Sequence, residues 1–491
     1  MAKPEAPPQL AEKKRLGVVA ITFLIVAASA PLTVVAGGVT TTYSVTHVAG
    51  VPLGYILLAA ALALFAIGYA AMSRFITNAG AFYAYVAQGL GRPFGVGSAL
   101  IALVSYNAMQ IGIYGIFGFQ VAMFIQEKTG AEIPWWAVVI VGIIVVGIFG
   151  VNRIDLSAKV LGVLVAIEFV LVLIFDIVAF ANPASGFSAE PLSPAALFTP
   201  AIGAALSFGI AAFMGFEGAA IYGEEAKDPK RTVRRATFLA LGVIGVFYAV
   251  SSWALALGIG VGTITDPAGI GPEEAGPPLF FGIVAQNLGT VWIDLMSVFF
   301  ITSVLASLVS FHNAVARYTF SLAREGLLPK RLSGVAAGGA PRAGSLVQSV
   351  TALIVVLAFA FGGIGSEYGP AFPVVTLFSW LPNTGAMGLV LLMALVSLAV
   401  IGYFRRDARG VGVGSRLVAP VLAFLALGTV FVLILTNFDV LLGQSESNAV
   451  SYILPAIVVV PGIAGVIWGL ALRRSDPELY SRLGHGNDAG S

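Results

Sequence analysis

Long apolar stretches separated by short polar segments make up almost the whole chain. Twelve of these stretches have a length close to or above the roughly 20 residues that a helix needs to cross the hydrocarbon core of a bilayer. We number them spans 1 to 12, and they lie near residues 17–46, 52–72, 94–126, 134–151, 155–181, 199–223, 236–262, 288–320, 345–365, 371–403, 417–437 and 450–472. The pattern predicts an all-α membrane protein with twelve transmembrane helices.

The positive residues between these spans are distributed unevenly. With twelve spans, 25 of the 26 Lys and Arg residues fall on the side that carries both termini, and the other side holds only Lys128. Loops that face the cytoplasm carry an excess of Lys and Arg. The distribution therefore predicts a multi-pass protein of the cytoplasmic membrane with both termini inside the cell.

Span 1 is longer than a straight crossing requires, and Pro31 lies near its middle. A proline inside a helix removes a hydrogen bond and clashes with the preceding turn, but it is well tolerated at the start of a helix. We therefore predict a break at Ser29, Ala30 and Pro31, with a second half-helix beginning there. The N-terminal amides of that half-helix, together with the Thr33 hydroxyl, would form a site for a carboxylate, whereas an ordinary packing kink would form none.

Span 6 contains a carboxylate, Glu217, within the glycine-containing segment FGIAAFMGFEGAAIYG at 208–223. A charge inside an apolar span is costly unless it faces protein or a water-filled cavity, so it indicates a functional site. Helices are broken at membrane depth where their backbone lines a cavity. We predict a break between Ala211 and Glu217 whose free carbonyl groups accept hydrogen bonds from a substrate ammonium. Glycines that only allow close helix packing are the alternative.

The two predicted breaks lie five helices apart. Paired interruptions at corresponding positions of two halves indicate an inverted-repeat transporter whose site lies where the broken helices cross.

The composition excludes several other classes of protein. With 58% hydrophobic residues, 10% charged residues and a mean hydropathy of +0.96, the chain is neither an ordinary soluble globule nor disordered. It contains no cysteine and three histidines, so we expect no metal site and no other cofactor. A nucleic-acid site would need a soluble basic surface with stacking aromatics, and direct use of ATP would need a GxxxxGK[ST] loop, so we expect neither.

Three segments resemble the amino acid–polyamine–organocation (APC) permeases, in the order that this superfamily shows. They read NAGAFYAY at 78–85, GFEGAAIYGEEAKDPKR at 215–231 and RYTFSLAREGLLPK at 317–330. One difference is that residues 29–33 read Ser-Ala-Pro-Leu-Thr where many relatives have a Gly-Ser-Gly-like break. The resemblance covers most of the chain and implies a LeuT-type fold, a 5+5 inverted repeat with discontinuous helices 1 and 6.

The resemblance also implies a division of the chain. We expect a cytoplasmic tail at 1–16, a ten-helix transport core at 17–403, helices 11 and 12 with the preceding cytoplasmic loop at 404–472, and a cytoplasmic tail at 473–491.

The substrate-binding residues that the breaks and the resemblance imply come from three helices. They are Ser29, Ala30, Pro31, Leu32, Thr33, Ala211, Phe213, Met214, Gly215, Phe216 and Phe311. Either Phe213 or Phe216 would act as an aromatic gate, and Ala211 would leave room for the substrate side chain. Phe311 falls where relatives place an aromatic ring against the substrate.

Two acidic residues are candidates for binding a proton. Glu168 in span 5 occupies the place of a functional lysine that lies beside helix 1 in several relatives. A buried carboxyl can hold a proton while its surroundings are closed and release it when they open. We therefore predict that Glu168 couples transport to protons, with a structural hydrogen bond to helix 1 as the alternative. In relatives Glu217 is linked either to proton sensing or to stabilising the break. Asp176, eight residues after Glu168 and nearer the outer end of span 5, is expected at the outer rim.

These features predict a secondary transporter that moves an amino acid or related amine by alternating access, coupled to protons. The few charges at the predicted site favour a neutral substrate, although a cationic amine would also fit. Within transport, the alternative is an exchanger or uniporter without ion coupling. A channel or non-transporting sensor is the alternative from another class. An enzyme is not expected, because the sequence shows no nucleophile and base at one depth of the membrane. The expected partners are the substrate, a proton and the lipid bilayer.

Overall fold

Helices lie in each of the twelve predicted spans. The computed structural model describes residues 17–76, 82–152, 158–217, 229–271, 274–335, 341–444 and 447–484. Spans 1 to 6 contain Val18–Ser29, Pro31–Thr33, Val34–Val39 and Thr40–Thr46 in span 1, then Val51–Met72, Arg92–Thr129, Trp135–Asn152, Ala158–Ala181 and Ile202–Phe213. Spans 7 to 12 contain Pro229–Ile259, Thr290–Glu325, Arg342–Gly362, Val374–Phe378 with Ser379–Arg406, Gly414–Val418 with Ala419–Thr436, and Ala449–Ser475. The predicted tail at 1–16 and most of the segment at 215–231 lie outside the described residues.

Not every one of these helices is long enough to cross a membrane unbroken. Within the described ranges, nine helices have the necessary length and hydropathy, and they occupy spans 2, 3, 5 and 7 to 12. The helices Trp135–Val151 and Ile202–Phe213 are apolar but shorter, and span 1 is divided by its break. The nine long apolar helices indicate an all-helical membrane protein. The count of twelve crossings, the 5+5 repeat and the domain limits stay predictions.

Glycines allow span 3 to lie very close to span 10. A Cβ atom on Gly112 would overlap the ring of Pro382, and one on Gly115 would overlap the carbonyl oxygen of Pro373. Inside a bilayer, helices associate through such close van der Waals contact because lipid is as apolar as the side chains. The contacts fix the position of span 3, which carries Tyr106.

The last described residues of the chain pack against the short helix Phe82–Gly89, which connects spans 2 and 3. The Gly484 amide donates a hydrogen bond to the Tyr83 hydroxyl at 2.7 Å, and Gln88 Nε2 donates to the Gly484 carbonyl oxygen at 3.1 Å. The predicted C-terminal tail, as far as it is described, is therefore bound to the protein.

Single cysteines can test the predicted orientation, because the chain contains none. Ser185 and Ser475 are both exposed, in the connection after span 5 and at the end of span 12. We expect Ser185→Cys to react with a membrane-impermeant maleimide in intact cells, and Ser475→Cys to react only after permeabilisation. Reaction of Ser475→Cys in intact cells would contradict the inside location of the C-terminus.

Candidate functional site

The helix of span 1 ends at Ser29 and a new helix begins at Pro31. Between them Ala30 has φ 49° and ψ 75°, in the left-handed region. A residue with a Cβ atom in this region costs roughly 1–2 kcal/mol, so surrounding contacts must hold it there. Proline suits the first position of the second helix because its missing N–H would have no partner within the helix. The break lies at the residues that the sequence indicated.

Glu168 contacts the second half of this broken helix. Its Oε2 accepts hydrogen bonds from the Leu32 amide at 3.3 Å and from Ser303 Oγ at 2.7 Å, and Thr33 Oγ1 donates to Ser303 Oγ at 2.9 Å. The Glu168 side chain is buried. Spans 1, 5 and 8 therefore meet at one carboxylate, and the Leu32 amide, expected to face a substrate carboxylate, binds a carboxylate of the protein itself.

Tyr248 of span 7 contacts the first half of the same break. Its hydroxyl lies 3.0 Å from Ser29 Oγ and 3.3 Å from the Ser29 carbonyl oxygen, and Ser29 Oγ donates to the Val26 carbonyl oxygen at 2.7 Å. The Tyr248 ring also packs against Tyr55 of span 2, with 5.4 Å between the ring centroids. The end of the first half-helix is thus bound to span 7, whereas the start of the second is bound to spans 5 and 8.

The helix of span 6 ends at Phe213, and the chain then leaves helical geometry. Met214 is extended, and Gly215 has φ 103°, which residues with a Cβ atom rarely adopt. The Gly215 amide donates to Glu217 Oε2 at 2.9 Å, and the Tyr106 hydroxyl donates to Glu217 Oε1 at 2.6 Å. Each oxygen of this buried carboxylate therefore has a donor, and the side chain holds the broken backbone in place.

The two phenylalanines of this break both pack against span 2. The Phe213 ring lies 6.0 Å from the Tyr55 ring, and the Phe216 ring lies 6.0 Å from Phe65 in an edge-on arrangement. Both rings are almost completely buried, while Ala211 is partly exposed. The packing is similar for the two rings and does not favour either one as the gate.

Span 8 connects the surroundings of the two acidic residues. Ser303 donates to Glu168, and Tyr318, fifteen positions further along the same helix, lies 5.7 Å from the ring of Tyr106, the donor to the second acid. Fifteen positions correspond to about 22 Å along an α-helix. The buried Phe311 lies between these two positions on span 8. Glu168 therefore lies near one end of segment 303–318 of span 8 and Glu217 near the other end, with Phe311 close to the middle of the segment.

The structure corrects the expectation for Asp176, which we placed at an outer rim. This side chain is only 4% exposed, and its Oδ2 accepts a hydrogen bond from Ser251 Oγ of span 7 at 2.8 Å, so it lies between helices rather than at a surface. Within the described ranges no three His, Asp or Glu side chains converge as a metal site would require.

Sequence reasoning missed Tyr106, Tyr248 and Ser251. Tyr106 lies between a serine and an asparagine, Ser251 is followed by a second serine, and Tyr248 lies in an apolar run, and none of these surroundings forms a recognisable motif. The sequence still contained a clue to them. A hydroxyl buried inside a membrane needs a hydrogen-bond partner, and the breaks and acids of the other spans are the groups that can provide one.

Comparison with known proteins connects this geometry to a family. The chain matches the sequence profile of a family described as "Amino acid permease" over residues 16–461. It is 30% identical to the cadaverine/lysine antiporter of Escherichia coli K12 over 177 residues, which are 35% of this chain and 38% of that protein. It is 24% identical to the branched-chain amino acid permease BcaP of Lactococcus lactis over 387 residues, which are 73% of this chain and 76% of that protein. The match to the antiporter thus covers well under two thirds of that relative.

A solved structure has the same overall fold. It is the substrate-bound, outward-open state of a Na⁺-coupled sialic acid symporter, with 15% sequence identity and a TM-score of 0.51, and the match covers 87% of this chain and 90% of that chain. At this identity the likeness concerns the fold alone. The relatives are transport proteins rather than enzymes, as the sequence indicated. Together with the match over nearly the whole length, they show that this chain belongs to the amino acid permease family of the APC superfamily.

Proposed function

We propose that this protein is a secondary transporter that moves an amino acid or related amine across the cytoplasmic membrane by alternating access, coupled to protons. The observation that carries the proposal is the bonding of Glu168, whose carboxylate joins the break of span 1 to span 8. Alternating access requires the broken helices to move relative to the surrounding helices. A titratable group at such a junction can make that movement depend on its proton.

The coupling follows from hydrogen-bond chemistry. The ionised carboxylate of Glu168 accepts from both Leu32 and Ser303 on one oxygen. Hydrogen bonds to a charged acceptor are roughly twice as strong as those to a neutral one. Protonation of Glu168 weakens both bonds and releases the second half of span 1 from spans 5 and 8, and deprotonation restores the connection.

The two breaks are the proposed substrate site. At span 1 the Leu32 amide becomes available when protonation of Glu168 weakens their hydrogen bond, and at span 6 the backbone beyond Phe213 offers carbonyl groups outside regular helix. Amides bind a carboxylate and carbonyl groups bind an ammonium, so the pair suits the two charged groups of an amino acid. Phe311, Phe213 and Phe216 supply apolar surface beside them.

The substrate class follows from the charges at this site. Glu168 and Glu217 both accept hydrogen bonds from donors of the protein itself, so neither acid is free to pair with a cationic substrate side chain, which favours a neutral amino acid. The name of one relative, a branched-chain amino acid permease, agrees with this choice. The names of two others, the cadaverine/lysine antiporter and the low-affinity putrescine importer PlaP of Escherichia coli, support a cationic amine as the second candidate.

Uptake by the purified protein in proteoliposomes tests the proposal. All amino acids and common polyamines are first screened by thermal shift, and the stabilising compounds are then supplied as radiolabelled substrate. We expect an inward proton gradient to drive accumulation and a protonophore to abolish it, while an inward Na⁺ gradient has no effect. Counter-exchange of substrate without any response to either gradient would show an exchanger without ion coupling. A response to the Na⁺ gradient alone would show that Na⁺, not the proton, is the coupling ion.

A further inference from the structure

A small pocket with two arginines lies at the polar ends of spans 2, 7 and 11. Its volume is about 110 Å³, and its lining includes Arg74 after span 2, Arg234 at the start of span 7, Gly410 and Gly412 in the loop after span 10, and Ser415. Three apolar residues of span 2 also line it. We call it the two-arginine pocket. None of the residues that line it belongs to either helix break or to the mechanism above.

The lining of the two-arginine pocket has the chemistry of a phosphate site. Two arginines line one small volume, and none of the described residues that line it is acidic. Arginine binds phosphate through two parallel hydrogen bonds, and an anion between two arginines relieves the repulsion between them. The helical segment that begins at Gly414 directs its N-terminal end, with its partial positive charge, towards the same region.

The loop that closes the pocket is held in place by a third arginine. The Arg409 guanidinium lies over the rings of Phe75 and Tyr403, at 5.2 and 4.7 Å from their centroids, and near Asp407. Cation–π contacts of this kind fix a loop against its neighbours. Arg409 is thus used in packing, whereas Arg74 and Arg234 are exposed and line the pocket.

The surface next to the pocket identifies the source of the phosphate. Leu417 and Val418 lie two and three positions after Ser415 on span 11, Leu239 lies five positions after Arg234 on span 7, and all three are exposed. Exposed apolar side chains within one to two helical turns of a charged pocket suit a molecule with an anionic head and apolar chains. Basic pockets between transmembrane helices on the cytoplasmic side bind anionic lipid headgroups.

We propose that the two-arginine pocket binds the phosphate of an anionic phospholipid, with its acyl chains along the exposed apolar faces of spans 7 and 11. Span 7 follows the break of span 6, and span 2 packs against both phenylalanines of that break. A lipid bound there therefore connects the moving part of the transporter to the loop after span 10.

Lipid titration followed by thermal unfolding tests this site in detergent-solubilised protein. The probes are phosphatidylglycerol, phosphatidylcholine and inorganic phosphate, and the variant is the double substitution Arg74→Gln with Arg234→Gln. The matched control is Arg473→Gln with Arg474→Gln, which removes the same charge from two exposed residues at the end of span 12. We expect saturable stabilisation by phosphatidylglycerol, weakened at least about tenfold in the pocket variant and unchanged in the control.

Three results separate the possibilities. Equal stabilisation by phosphatidylcholine, or unchanged affinity for phosphatidylglycerol in the pocket variant, would overturn the proposal. Equal stabilisation by inorganic phosphate at the same concentration would show that the pocket binds phosphate but would overturn the lipid as its source. A pocket variant that elutes as an aggregate in size-exclusion chromatography is replaced by Arg74→Lys with Arg234→Lys, which keeps the charge, loses the two parallel hydrogen bonds and should still bind more weakly than the parent.

Discussion

The Glu168→Gln variant is expected to exchange substrate across the membrane but to lose accumulation driven by a proton gradient. Glutamine has the shape of the protonated carboxyl and cannot release a proton. One proton carried with a neutral zwitterion moves one net charge, worth about 2.3 kcal/mol per 100 mV, which supports a substrate gradient of about 50-fold. The variant should lose this whole gradient, and counterflow of labelled substrate in proteoliposomes should continue.

The matched control for this experiment is Asp176→Asn. Asp176 is a second buried acid of span 5, but it binds Ser251 of span 7 rather than the break of span 1. We expect this variant to accumulate substrate as the parent does. Full accumulation by Glu168→Gln would make Glu168 a structural hydrogen-bond acceptor, and loss of accumulation in Asp176→Asn alone would move the coupling to the other acid.

The Gly215→Leu variant is expected to lose substrate binding. Gly215 has φ 103°, where a leucine is strained whatever space surrounds it, and its amide donates to Glu217. A leucine would shift the backbone of the break and misplace the carbonyl groups proposed to bind the ammonium. Affinity should fall at least about tenfold, measured by the thermal shift that the substrate produces.

Gly242→Leu in span 7 is the matched control for the glycine substitution. Gly242 is helical, and a Cβ atom added there meets open space, so the change adds the same atoms without strain. This control should bind substrate normally, and both variants should elute as monodisperse protein. Unchanged affinity in a well-folded Gly215→Leu variant would remove the break of span 6 from the binding site.

The parts of this fold that local chemistry determines were predictable from the sequence. Hydropathy located a helix in every span because a bilayer demands long apolar helices. The break of span 1 was predictable because Pro31 has no N–H to donate, and that of span 6 because Gly215 permits a positive φ and Glu217 is charged.

The contacts between spans were not predictable in the same way. The hydroxyls of Tyr248 and Tyr106 bind residues more than one hundred positions away, and no motif near either tyrosine encodes that approach. The burial of Asp176 depends in the same way on Ser251 of another helix. The bond between Glu168 and the Leu32 amide was expected only as the structural alternative, because sequence places two residues on helices but does not give the rotation of those helices.

Span 8 connects the surroundings of the two acids through a single continuous helix. An α-helix is stiff along its axis, and Ser303 and Tyr318 are attached to the surroundings of different acids about 22 Å apart. If span 8 pivots at Ser303 by about 10°, Tyr318 moves by about 4 Å, more than the length of a hydrogen bond. A pivot of this size that keeps the Ser303–Glu168 hydrogen bond would therefore displace Tyr318 from the ring of Tyr106, so a movement of span 8 at one acid is transmitted to the surroundings of the other.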